Sequence, residues 1–175
     1  MALPSIAHPA IPTDEAFAAF DRALHAEGPR AALTYLVGLT SYRFIGIFRF
    51  NGGMANAAIH VDRENPDVTR LDAVPETATY CCYVRDGRGV FTTVDAMADP
   101  RLLTHVARAQ VRSYCGVPLI SPEGELLGTM CHYDLVPRDP EELDLPLLLQ
   151  AAGTLANGGH VPPYPHADRA PGSAA

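Results

Sequence analysis

Arg112-Ser113-Tyr114-Cys115-Gly116-Val117-Pro118-Leu119-Ile120 runs into Ser121-Pro122-Glu123-Gly124 and returns as Leu126-Leu127-Gly128-Thr129-Met130-Cys131-His132-Tyr133-Asp134. Two apolar runs flank a Ser-Pro-Glu-Gly sequence, whose residues supply the backbone angles of a tight reversal. The stretch therefore predicts an antiparallel hairpin. Successive strand residues point to opposite faces, which sorts the side chains. Arg112, Tyr114 and Gly116 share one face, and Ser113, Cys115, Val117 and Leu119 the other. The second set is more aliphatic and suits a face covered by helices, which leaves Tyr114 on the opposite side. In the returning strand, Thr129, Cys131 and Tyr133 share a face.

Outward from the hairpin, the pattern alternates helices with more strands. Tyr42 to Phe50 is rich in aromatic and β-branched residues and ends at Asn51-Gly52-Gly53, a second hairpin signal, with Met54 to Val61 as its return. Asp62 to Val74 is polar and predicts a loop. Pro75-Glu76 opens an expected helix to about Arg85, stopped by Gly87 and Gly89, with a short strand from Val90 to Val94 after it. Asp99-Pro100 has the form of a helix start. At the front, Thr13 or Asp14 is placed to cap a helix with Phe17, Phe20 and Leu24 on one face, and Gly28-Pro29 leads into a second carrying Leu33, Leu36 and Val37. Asp139-Pro140-Glu141-Glu142 precedes a last helix striped by Leu143, Leu147, Ala151 and Leu155; Pro146 sits awkwardly in it, so Asp144 is an alternative start. This order predicts an α+β domain built on an antiparallel sheet. Residues 1–12 are expected to be an extended tail, 13–159 a single domain, and 160–175, with four prolines, a disordered tail.

Charge and cysteine usage narrow the function classes. The formal charge is −7, and all 13 basic residues are arginines spread from Arg22 to Arg169 without a block. An acidic chain without a basic patch repels a phosphate backbone, so no nucleic-acid partner is expected. No apolar run approaches the ~20 residues of a membrane helix, and Met1 to Pro12 lacks the basic start and apolar stretch of a signal peptide. The expectation is a cytoplasmic protein with no membrane contact. The cysteines Cys81, Cys82, Cys115 and Cys131 form no C-x-x-C pair and no zinc spacing. No metal is expected, and buried free thiols are.

Between Tyr80 and Arg138, a series of short motifs resembles the GAF family of small-molecule sensor domains. They are, in order, Tyr80-Cys81-Cys82-Tyr83-Val84, Gly89, Asp95, Asp99-Pro100-Arg101, the strand Arg112 to Leu119, Gly124, Gly128-Thr129-Met130-Cys131, Asp134 and Pro137-Arg138. Ser113 departs from the aromatic residue typical of sensor-kinase members. The resemblance implies a central five- or six-stranded antiparallel sheet. The N- and C-terminal helices would cover one face, often dimerising, and the other face would form a ligand pocket. It names no ligand, and the cofactor is left open.

By parity and family position, the candidate ligand-binding residues are Tyr80, Cys81, Asp95, His105, Tyr114, Cys131 and Tyr133. Tyrosines such as these three are more often core aromatics with a satisfied hydroxyl than ligand contacts, and an aspartate such as Asp95 more often caps a turn. Cys131-His132 resembles the bilin-attaching dipeptide of phytochrome-like members, but it lies in a strand motif here. The functional expectation is a bacterial signalling module that senses a small molecule and reports to a separate effector protein. Homodimerisation through the apolar stripes of the terminal helices goes with it. The alternative is a thiol-dependent oxidoreductase related to free methionine sulfoxide reductase, using Cys81, Cys82 or Cys115. His105-Val106-Ala107 is similar to the start of that family's catalytic segment, yet Arg108 stands where its cysteine would be. A cyclic-nucleotide site lacks that family's acidic-aromatic signature.

Overall fold

The computed structural model describes residues 10–165. Its elements are α1 (Thr13–Glu27), α2 (Pro29–Gly38), β1 (Phe44–Asn51), β2 (Met54–Asp62), β3 (Val74–Pro75), α3 (Cys81–Gly87), β4 (Phe91–Thr93), β5 (Ser113–Ile120), β6 (Leu126–Asp134) and α4 (Leu145–Asn157). The strands form one six-stranded sheet in the order β3-β2-β1-β6-β5-β4, every neighbouring pair antiparallel. The α+β architecture expected from the sequence is the one found. Gly52 and Gly53, at φ 57° and 79°, make the β1–β2 reversal, where a side chain would be strained.

Each face of the sheet carries its own core. On one, Ile45, Ile47, Val117, Leu119 and Met130 meet Phe20 and Leu24 of α1, Leu33 and Leu36 of α2, and Leu147 and Leu155 of α4. On the other, Phe48, Tyr114 and Cys131 meet Tyr80, Cys81 and Val84 around α3, together with Leu102. Strand β2 serves both layers through a bulge. Ile47 pairs with Ile59 and Phe48 with Ala57, so Ala58 is the extra residue. Before it Ala57 faces the α3 layer, and after it Ile59 and Val61 face the helical layer.

Local structure departs from expectation at three places, each with a physical reason, and decides a fourth, the start of α4. The helix expected from Pro75 starts instead at Cys81, because Val74 and Pro75 pair with Ala55 and Met54 as an edge strand, a position where proline is tolerated. Asp99 does accept a bond from Arg101 N at 3.0 Å, but the helix it opens is a single 3₁₀ turn, Pro100–Leu102. Leu103 and Val106 beyond it are 60% and 76% exposed, so no apolar stripe exists there to hold a helix down. Neither Thr13 nor Asp14 caps α1; the Thr13 hydroxyl donates to Asp144 Oδ2 at 2.5 Å and ties α1 to α4. Asp144 in turn caps α4, accepting from Leu147 N at 3.0 Å. Pro146 then falls within the first turn, where its missing N–H is harmless.

The expected tails fall only partly within the described residues. Pro12 O accepts the first helical bond, from Ala16 N. After α4, residues 160–165 run back along the domain, and Arg49 Nη1 donates to Pro162 O at 2.9 Å. The remainder of both tails, 1–9 and 166–175, lies outside the described residues.

Candidate functional site

The site is built on the face of the sheet away from α1, α2 and α4. Strands β1, β5 and β6 place Phe48, Tyr114, Cys131 and Tyr133 on that face, and the turn into α3 lays Tyr80 and Cys81 over them. They enclose a cavity of about 130 Å³, whose half-buried rim is formed by Leu71, Ala78, Ala107 and Val111. No charged side chain reaches its wall.

The polar atoms of the wall have protein partners. Tyr80 OH donates to Val111 O at 2.8 Å, which fastens the lid segment to the loop before β5. Tyr114 OH donates to Cys81 Sγ at 3.3 Å. Tyr133 OH lies 2.6 Å from His60 Nε2, and its ring stacks on Phe44 with centroids 4.6 Å apart. Tyr80 and Tyr114 meet edge to face at 5.5 Å, the favoured geometry of an aromatic pair.

Cys81 and Cys131 both line this cavity and pack in the same buried cluster, close enough for each thiol to influence the other's ionisation. Burial is the largest influence on Cys81 and pushes its thiol up. The polar groups around it, Cys131, Thr129 and Tyr114, outweigh that, so the net shift is downward. Cys131 moves the other way, raised first by burial and then by the neighbouring Cys81. The remaining thiols are elsewhere. Cys115 faces the helical core, where burial raises it to about 11. Cys82 turns aside and donates to Thr79 O at 3.1 Å.

Of the seven candidate residues, Tyr80, Cys81, Tyr114, Cys131 and Tyr133 are brought together around the cavity. His105 and Asp95 are not in its wall. His105 lies behind the lid, its ring 4.6 Å from Tyr80 and its Nε2 3.3 Å from Thr79 O; burial lowers its pKa. Asp95 is held by Arg112 in a two-pronged ion pair, 2.8 Å on each arm. Sequence reasoning missed Phe48 and His60. Phe48 shares parity with Phe44 and Phe50 on β1, a signal that was available. His60 follows the bulge, which reverses the parity of β2 without any mark in the sequence.

A larger cleft of about 520 Å³ lies on the helical side, between the end of α2 and the start of α4. Its polar groups are already engaged: Ser41 donates to Glu142, Thr40 to Val37 O, and Thr13 to Asp144. It presents no convergent set of donors to a ligand.

A family model described as GAF domain matches residues 11–158. The chain belongs to the GAF domain family, whose members are generally sensing and signalling modules. Among solved structures, the GAF domain of an Acinetobacter phosphoenolpyruvate-protein phosphotransferase superposes with a TM-score of 0.66 at 10% identity, over 82% of this chain and 90% of that one. Free methionine-R-sulfoxide reductase from Neisseria meningitidis, solved in complex with its substrate, gives 0.66 at 17% identity, over 87% and 90%. The phycocyanobilin-bound GAF domain of a cyanobacterial phytochrome gives 0.63 at 14%, over 87% and 97%. Identities this low speak for the fold alone. By sequence, a cyclic di-GMP phosphodiesterase of Pseudomonas aeruginosa is 37% identical over 78 residues, which is 42% of this chain and 13% of that protein. The match thus spans a small part of that curated relative's length.

Proposed function

We propose that this GAF domain senses a small, uncharged, largely apolar molecule held between α3 and the sheet. One observation carries the reading: a cavity of about 130 Å³ walled by Phe48, Tyr80, Tyr114 and Tyr133, with no charged side chain in its lining. An apolar cavity of about 150 Å³ accepts a benzene-sized molecule, so the size matches a single ring or a short branched chain. A cyclic dinucleotide or a tetrapyrrole exceeds this volume severalfold. A phosphate would also find no arginine at the wall, although phosphate sites normally use one. The sensing reading is therefore separate from the activity in the name of the Pseudomonas relative.

On this reading the domain acts on a separate partner protein within the cell, paired with a second copy through α1 and α4. In support, Leu149 on α4 stands 46% exposed, and among the described residues no helix is long and apolar enough to cross a membrane.

The test is thermal unfolding of the full chain with benzene, toluene, phenol and isobutanol as probes. A ligand at 100 times its Kd stabilises the native state by about 2.7 kcal/mol. At least one probe should raise the midpoint, and Ala107→Leu, which fills the rim, should abolish the rise. No rise with any probe overturns the reading, as does a rise that survives Ala107→Leu.

A further inference from the structure

We propose that Cys81 and Cys131 form a peroxide-reactive dithiol that closes to an intramolecular disulfide across the cavity. The proposal uses the cavity but is independent of the ligand reading, because the reaction needs no bound molecule other than a hydroperoxide.

The argument is one of placement. Cys81 comes from the start of α3 and Cys131 from the middle of β6, fifty positions apart in sequence, yet both side chains line one cavity and pack in one buried cluster. Tyr114 OH donates to Cys81 Sγ at 3.3 Å. The Thr129 hydroxyl, buried with no hydrogen-bond partner of its own, is a polar neighbour of Cys81. A sulfur that accepts a hydroxyl hydrogen bond is favoured toward the thiolate, the form that attacks peroxides. Of the two sulfurs, Cys81 is the one that accepts the Tyr114 hydroxyl bond, which marks it as the attacking sulfur and Cys131 as its partner. Cys82 and Cys115 share neither the cavity nor the donors.

The chemistry balances with a hydroperoxide as oxidant. Cys81 Sγ attacks the terminal peroxide oxygen. An S–O bond forms, the O–O bond breaks, and the departing alkoxide takes up the proton that Cys81 released, leaving as an alcohol, or as water when the oxidant is hydrogen peroxide. Cys131 Sγ then attacks Cys81 Sγ. The S–S bond forms, the S–O bond breaks, and hydroxide leaves with the Cys131 proton as water. The two thiols are oxidised by two electrons and the peroxide is reduced by two. The half-buried rim at Leu71, Ala78, Ala107 and Val111 is the way in for so small an oxidant.

The experiment treats the folded full chain with hydrogen peroxide and reads intact mass and a non-reducing peptide map. Expected are a loss of two hydrogens per chain, a peptide pair joining Cys81 to Cys131, and full reversal by dithiothreitol. Cys131→Ser should instead gain one oxygen at Cys81, trapped by dimedone. The map of the natural sequence stands by itself if that variant fails to fold. An unchanged mass, a link through Cys82 or Cys115, or a link between two chains overturns the proposal. These outcomes are read without any apolar probe, so they are independent of the thermal-shift result above.

Discussion

The ring of Tyr114 lies over the α-carbon of Gly116, two residues along the same face of β5. A β-carbon at position 116 would sit 2.7 Å from Tyr114 Cζ. The missing side chain lets the ring lie against its own strand and bring its hydroxyl to Cys81. Gly116→Ala forces the ring off that position. Overpacking of this kind costs about 1–3 kcal/mol, or about 2–12 °C in midpoint at this chain length. Scanning calorimetry checks it; an unchanged midpoint would mean that the ring is not confined by Gly116.

Acid should weaken the protein through its buried histidines. His132 is fully buried against the helical core, and burial lowers its pKa to about 4, against a smaller upward pull from Leu36 O. His60 is lowered as well, again chiefly by burial. A histidine kept neutral in the native state but free to charge when unfolded loses stability as pH falls through about 6.5, and for His132 the loss levels off below about 4. The His132 share amounts to about 3 kcal/mol across that window. Urea unfolding between pH 7 and pH 4 should show this fall, and His132→Phe should flatten it. Equal slopes in both proteins would remove His132 as the cause.

Asp134 joins three segments. Its Oδ2 accepts from Arg43 N at 3.0 Å and Arg138 Nε at 2.9 Å, and its Oδ1 from Leu135 N at 2.7 Å. The carboxylate is 4% exposed and Arg138 34%. Asp134→Ala is expected to cost about 2–3 kcal/mol, since hydrogen bonds to a buried charge are lost with donors left behind. Arg138→Met removes only the partly exposed partner and should cost about 0–1 kcal/mol. Equal losses in chemical denaturation would contradict this division.

Tyr133→Phe leaves the ring stacked on Phe44 but deprives His60 of its 2.6 Å partner. The unpaired nitrogen should cost about 1–3 kcal/mol. A loss well below that range in urea unfolding would show that the pair is not needed to satisfy His60.

Much of this arrangement was legible in the chain because period-two alternation is a local property. It put Tyr114 and Cys115 on opposite faces of β5, and Cys131 with Tyr133 on one face of β6, as the two cores have them. The Asp144 start of α4 was legible too, from Pro146. What escaped depends on contacts distant in sequence. Pro75 is taken from a helix by an edge pairing with Met54. The bulge at Ala58 is one alanine among several and carries no composition signal. Leu71, Ala107 and Val111 reach the cavity from irregular segments with no period to read. Asp95 was assigned to the pocket rim by family position, and the nearby Arg112 guanidinium engages it instead.

The sheet that separates the two cores is a single backbone thick. Cys131 touches the cavity, while its chain neighbours Met130 and His132 are embedded among the helices, and consecutive α-carbons are only about 3.8 Å apart. The cavity wall and the helix-packed face are thus alternate residues of one strand. On the proposed sensing reading, the backbone of β6 itself is the whole distance between the cavity and the core under the helices, with no relay of intervening side chains needed.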